Sequence, residues 1–238
     1  MTTEHTDRDQ VDFWFDPLCG WTWLAYQWLR QVESVRGVSV RLRPTGLALM
    51  RARTGQVEVN PEYHELAQGP ARVIAAAHAV HGDEILAPLY DAVGSRLHAP
   101  GGVLEGTFGR ARDLSPEDRR LVQLEVLGRA EGAVAAALTE VGLSPDLTEQ
   151  MRSTEWDGAL SASHAAIPLD GRRIELIGVP VISVNGGNGW FGPVFSAIPA
   201  GERAGRLWDG FRLVAAEGLV GEMKVVGDRT VPQPQLVF

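Results

Sequence analysis

Three features of the sequence predict an α/β fold in which a small sheet layered with helices is interrupted by an inserted all-helical subdomain. A strand–helix–strand unit fills the first 45 residues, helix-start signals and helical spacing run from about 60 to 168, and strands return near the end of the chain before one last helix. The boundaries expected from these textures are a tail at 1–10, one domain made of 11–58 and 172–238, and an insertion over 59–171.

Val11-Asp12-Phe13-Trp14-Phe15 reads as a strand, stopped by Asp16-Pro17. Leu24, Trp28 and Val32 then recur at four-residue spacing with Ala25 and Leu29 beside them, and Arg36-Gly37 closes that helix. Val38 to Leu42 alternates as a second strand, closed by Pro44. Within the helical block, Asn60-Pro61-Glu62, Ser115-Pro116-Glu117-Asp118 and Ser144-Pro145-Asp146 each set a capping side chain before a first-turn proline and an acid. Between them, 71–80, 85–97 and 121–138 carry apolar residues at helical spacing, although Gly128 and Gly132 weaken the last. Val179 to Val184 leads through Asn185-Gly186 toward Trp190-Phe191 as a hairpin, and 200–216 forms a final helix on Leu207, Trp208, Phe211 and Val214. Residues 219–238, with Pro232 and Pro234, make either an edge strand or a loose tail.

The 238 residues hold 22 Lys and Arg against 30 Asp and Glu, a net charge of −8, with 45% hydrophobic and 22% charged residues. That is the composition of a soluble globular protein, and a chain of this length buries roughly 70% of its unfolded surface without disulfides or metals. The acidic balance and the lack of a dense Lys/Arg run argue against a nucleic-acid partner. No stretch approaches the roughly 18 apolar residues of a membrane span. Met1 to Gln10 lacks the apolar segment of a secretory signal, and Cys19, the single cysteine, has no partner for an internal disulfide. The expected compartment is the cytoplasm.

Cys19 falls between the first strand and the first helix, in Asp16-Pro17-Leu18-Cys19-Gly20-Trp21-Thr22-Trp23. A helix N-terminus offers unpaired amides and positive dipole to an anion, and cysteines so placed can have their pKa drawn from about 8.5 into the range of roughly 3.5–7.5. Cys19 is therefore the candidate nucleophile, with a lowered pKa expected. Thr22, one turn on and on the same face, either donates its hydroxyl to the sulfur or bonds its own backbone. Of Trp21 and Trp23, one is expected to pack inward and the other to roof the thiol.

The segment Asp12 to Trp23, together with Gly178-Val179-Pro180, Trp190-Phe191-Gly192-Pro193-Val194, Ile198-Pro199, Gly201-Glu202 and Leu207-Trp208-Asp209, resembles the cytoplasmic DsbA-like proteins of mycothiol-using bacteria, in particular the mycothiol-dependent nitroreductase family. The resemblance spans nearly the whole chain. It implies a thioredoxin fold with a helical insertion, the reactive thiol at Cys19, and a cis peptide between Val179 and Pro180 facing it. Where such proteins usually read Cys-Pro-Trp-Cys, this chain reads Cys19-Gly20-Trp21-Thr22, so the resolving thiol that dithiol exchange requires is missing.

Other signals are weaker. His78 and His81 share a helix but have no cysteine or acid pair at metal spacing, so no metal site is expected. His164 is either an acid–base group reaching the thiol from the insertion or an ordinary surface or core histidine. Tyr63 and His64 either line the pocket or sit exposed on their helix. Gly186-Gly187-Asn188-Gly189 joins strand to strand, unlike a phosphate loop.

Losing the resolving thiol favours chemistry without net redox change. The leading expectation is therefore a cis–trans isomerase in which Cys19 adds reversibly to a conjugated double bond of a small-molecule or carrier-bound substrate, with no cofactor required. The alternative is a monothiol oxidoreductase using mycothiol or another low-molecular-weight thiol, acting on nitro or disulfide groups. A second alternative is a thiol-bearing binding protein without turnover. Cys19 and Thr22 are the expected catalytic pair, and Trp21, Trp23, Tyr63, His164, Val179 and Pro180 the expected substrate contacts.

Overall fold

The computed structural model describes residues 8–53, 61–105, 114–171, 178–226 and 236–237. A central four-stranded sheet runs in the order β2-β1-β3-β4. β1 (Asp9–Phe15) and β2 (Val38–Pro44) pair in parallel, so the helix between them, α1 (Gly20–Val35), is their crossover. β3 (Val181–Val184) lies antiparallel to β1, and β4 (Trp190–Phe191) antiparallel to β3, as the Asn-Gly hairpin signal requires. This is the thioredoxin fold, with helices inserted between β2 and β3.

β1 starts earlier than its alternating pattern indicates. Asp9 and Gln10 belong to the strand and not to a tail, because the Gln10 amide donates to Asn185 Oδ1 and the Asn185 amide returns a bond to Asp9. Asn185 tolerates the positive φ of 51° that this hairpin corner imposes. Residues 1–7 of the expected tail lie outside the described residues, as does Asn60 of the first capping signal.

α1 buries the expected stripe, with Leu24, Trp28, Leu29 and Val32 almost inaccessible in the core. The inserted elements are α2 (Leu47–Arg53), α3 (Pro61–His81), α4 (Leu86–His98), α5 (Pro116–Glu140) and α6 (Asp157–Ala165). Ser115 caps α5 by accepting from the Asp118 amide, as its spacing predicts. Gly128 and Gly132 are tolerated because that helix buries a different face, through Val126, Ala130, Val134 and Ala137. The Ser144 signal opens a 3-10 segment, Pro145–Arg152, in place of an α-helix. α2 carries no start signal readable from the sequence; its first amide, Leu47, is instead bonded by Asp16 from across the fold.

α7 (Gly201–Glu217) packs on α1, where the Trp28 indole donates to the Ala204 carbonyl and Arg36 forks onto Glu202 and Asp209. Of residues 219–238, Leu236–Val237 form β6, a strand parallel to β5 (Ile198–Pro199). The insertion is anchored by Arg72, whose almost fully buried guanidinium forks onto Asp157 and also bonds Glu65 and the Met151 carbonyl. Such a buried cation is tolerable only because its donors are matched.

Candidate active site

Cys19 is the N-cap residue of α1, with extended backbone (φ −88°, ψ 109°). Its position is fixed by the turn before it. The Asp16 carbonyl accepts from the Cys19 amide at 3.1 Å, and the Asp16 carboxylate spends one oxygen on the Leu18 amide and the other on that of Leu47, both at 2.7 Å. His98, at the end of α4, donates from Nε2 to the Pro17 carbonyl at 2.7 Å and ties the same turn to the insertion. Burial holds the His98 imidazole neutral, lowering its pKa to about 4, and raises the Asp16 carboxyl to about 6 against the pull of its two amides and of Arg51.

The sulfur faces the Val179 carbonyl at 4.0 Å. The Val179–Pro180 peptide is cis, as the family resemblance implies; a second cis bond, Gly192–Pro193, was not anticipated. Only 8% of Cys19 is exposed, and this burial reverses the sequence expectation for its acidity. Desolvation pushes the thiol pKa up, and the Asp16 charge adds to it; the Thr22 hydroxyl and the amides of Trp21 and Thr22 oppose it. The helix-start stabilisation is present but is outweighed, so the thiol is a weaker acid than an ordinary cysteine. Thr22 is completely buried, and among the described residues its hydroxyl has no hydrogen-bond partner at ordinary distance, though it lies near enough to the sulfur to oppose the rise in its pKa.

A groove of about 1350 Å³ opens beside the thiol. Of the residues expected to contact substrate, Trp21, Tyr63 and Val179 line it together with Cys19. Three expected contacts do not. Trp23 is a core residue: it leans edge-on against Tyr90 and over Gly94 of α4, because its place on α1 faces the insertion. Pro180 is buried behind Val179, and only the latter reaches the groove. His164 sits on α6, beside the Ser163 carbonyl that accepts from the Trp14 indole, away from the groove. Thr22 also stays behind the sulfur.

Sequence reasoning passed over Asp16, read only as a strand stop, and Arg51 and the groove aromatics Trp190, Phe195 and Phe211. The Asp-Pro preceding the cysteine was the available signal for the first. His78 pairs with Asp83 at 2.7 Å, and among the described residues no three His, Cys, Asp or Glu side chains gather as a metal site. Among them, too, no helix is long and apolar enough to cross a membrane.

A thioredoxin fold with a helical insertion, its cysteine at the start of α1 facing a cis-proline loop, defines a DsbA-like protein, here with threonine in place of the second cysteine. The family model Rv2466c-like, mycothiol-dependent nitroreductase Rv2466c, matches residues 18–106 and 119–225, and the chain belongs to that family. Among solved structures it is similar to the oxidoreductase DsbA from Xylella fastidiosa, with 18% identity over 90% of this chain and 88% of that one and a TM-score of 0.47. A putative protein disulfide isomerase from Nitrosomonas europaea gives 14% identity over 87% and 99%, with a TM-score of 0.43. A 2-hydroxychromene-2-carboxylate isomerase gives 20% over 88% and 94%, with a TM-score of 0.38.

Proposed function

We propose that this protein is a monothiol oxidoreductase that works with a low-molecular-weight thiol, mycothiol being the one in its family's description. The observation that carries this reading is the placement of one thiol, with Thr22 behind it, against the Val179 carbonyl in a groove larger than one small ligand needs. What supports this is the make-up of the groove, which sets polar side chains near Cys19 beside a volume of about 1350 Å³.

With a disulfide as substrate, Cys19 loses its proton, its sulfur bonds to one substrate sulfur, and the other leaves as a thiolate that takes up a proton. The amides of Trp21 and Thr22 and the Thr22 hydroxyl hold the sulfur's charge before attack and as it is expelled again. Val179 lines the approach with its backbone, and burial keeps water from the sulfur. A small thiol then attacks the mixed disulfide, freeing Cys19 and leaving joined to the remaining substrate half, and a second small thiol displaces that half as a free thiol; one substrate disulfide is thereby reduced by two electrons and the two small thiols end as one disulfide. Nitro compounds, named in the family's description, are the other acceptor class.

A second reading, the cis–trans isomerase, is favoured by Thr22 itself, which leaves no internal route for net electron transfer. In it the Cys19 sulfur adds to one carbon of a conjugated double bond, the single bond rotates, and the sulfur leaves with its electron pair; nothing is oxidised. The two readings separate by stoichiometry. Thiol consumed in proportion to product, with activity lost in Cys19→Ser, is the expected result. A product of unchanged mass formed without thiol would establish the isomerase, and binding of both substrate classes without turnover would overturn both.

A further inference from the structure

The parallel strands β1 and β2 end side by side, with the Thr45 amide donating to the Phe15 carbonyl at 2.9 Å as the rung that closes their ladder. Within a few residues of each strand end the chain turns into a helix, α1 headed by Cys19 and α2 by Leu47. The carboxyl ends of strands are where an open α/β sheet offers a crevice to ligands. Asp16 stands at that junction and bonds both sides of it. Its carbonyl accepts from the Cys19 amide at 3.1 Å, one carboxylate oxygen accepts from the Leu18 amide at 2.7 Å, and the other accepts from the Leu47 amide at 2.7 Å. Bonds from an ionised oxygen to amides are short and roughly twice as strong as neutral ones, and at 3% exposure solvent does not compete for these. α3 holds the head of α2 from another side, because Gly46 lies so close to the buried Gln68 amide that a methyl group there would overlap Oε1. Leu47 and Ala48, the first residues of α2, line the groove with Cys19 and Val179. The Asp16 charge works against the thiolate, and burial works against the carboxylate itself. What the group supplies is geometry.

We propose that Asp16 is a positioning residue for the reaction: the two oxygens of its one carboxylate fix the head of α1 and the head of α2 to each other, so that a substrate resting on the α2 wall of the groove meets the Cys19 sulfur in the orientation that attack requires. This rests on the groove being the substrate site of the reading above, and it adds the residue that aligns the two. Asp16 acts through Leu18 and Leu47 and takes no part in bond making. Misplacing a reacting group by about 1 Å costs up to about a hundredfold in rate, so the join matters more to reaction than the acidity it gives up.

The test compares two neutral reagents at Cys19 of the full-length protein, neither of which needs turnover. Iodoacetamide is small and reports the thiolate fraction; 4,4′-dithiodipyridine is an aryl disulfide that must lie along the groove for its sulfurs to line up with Cys19. Each rate is divided by that of N-acetylcysteine, and the quotient of the two measures alignment apart from acidity. In Asp16→Glu the charge stays and the spacing changes. The expected result is a quotient lower by about tenfold, with the pH midpoint of iodoacetamide alkylation still raised, which shows that the thiol is still buried. In Asp16→Asn the charge and one acceptor are lost, so the midpoint falls and alkylation quickens while the quotient again drops. Arg51, Tyr63 and Tyr90 are the other ionisable groups coupled to Asp16; between about pH 7 and 9 an arginine stays charged and phenols of raised pKa stay neutral, so the midpoint reports Cys19. A quotient unchanged in either variant overturns the proposal. A quotient that falls in Asp16→Glu together with the midpoint would assign Asp16 to folding alone and overturn it as well. Absence of turnover by the unmodified protein with disulfides and small thiols would overturn the oxidoreductase reading and leave these quotients standing.

Discussion

The ring of Trp23 lies directly over the Cα of Gly94, so close that a methyl group added there would overlap Cε3 and Cζ3. α1, which carries Cys19 at its head, and α4 of the insertion are thereby in backbone-to-ring contact, and Tyr90, one turn before Gly94, stacks on Phe15 at 4.1 Å. The insertion thus packs directly against the helix that carries Cys19.

Gly94→Ala is accordingly expected to destabilise the protein by about 1–3 kcal/mol, the usual cost of overpacking a filled core. Trp23 must move, and with it the first turn of α1. Chemical unfolding gives the loss in stability, and a parallel change in Cys19 alkylation rate would report the displaced helix start. Unchanged unfolding would mean that the ring and the helix separate without cost.

Thiol acidity is the second expectation. Because burial and Asp16 outweigh the helix start, the rate of Cys19 alkylation should rise with pH to a midpoint above that of an ordinary thiol. Thr22→Val removes a stabilising hydroxyl and moves the midpoint higher, slowing alkylation at pH 8 by roughly three- to tenfold, since each pKa unit changes the thiolate fraction about tenfold. Thr22→Cys restores a dithiol and should add insulin-reducing activity. A midpoint below 8 would show that the helix start prevails over burial.

Asp16 and His98 make opposite contributions to stability against pH. The Asp16 carboxyl is raised from 3.8 to about 6, so between those values the folded chain holds a proton that the unfolded chain has lost. Its contribution is complete below about pH 4 and is lost as pH rises through 6, an effect of at most about 3 kcal/mol. His98 is lowered from 6.5 to about 4, so there the unfolded chain binds the extra proton. Its contribution is present above about pH 6.5 and is lost as pH falls through 4, with a similar ceiling of about 3 kcal/mol. The two nearly cancel between pH 4 and 6. Unfolding free energy of the wild type should be almost flat there, while His98→Gln should show stability falling as pH rises. A wild-type slope of 2 kcal/mol or more across that window would show that one of the two shifts is absent.

Much of the fold was written in short windows. The apolar spacing of α1, the alternation of β1 and β2, the Ser115 cap and the Asn185-Gly186 corner each depend on residues within one or two turns of each other. The placement of Cys19 at a helix start is of the same kind, as are the motifs from Phe13 to Cys19 and from Phe191 to Pro193 that carry the family resemblance. What required the tertiary structure was every property that depends on desolvation or on partners remote in sequence. The sequence around Cys19 displays the amides that lower its pKa but not the Val179 loop and the insertion that bury it, and burial decides the sign. Trp21 and Trp23 are equivalent as a sequence pattern; the insertion claims Trp23 and leaves Trp21 to the groove. Asp16 bonds an amide 31 residues away, and α2 starts on that bond. Periodicity is local, whereas the electrostatics of a buried site belong to everything packed around it.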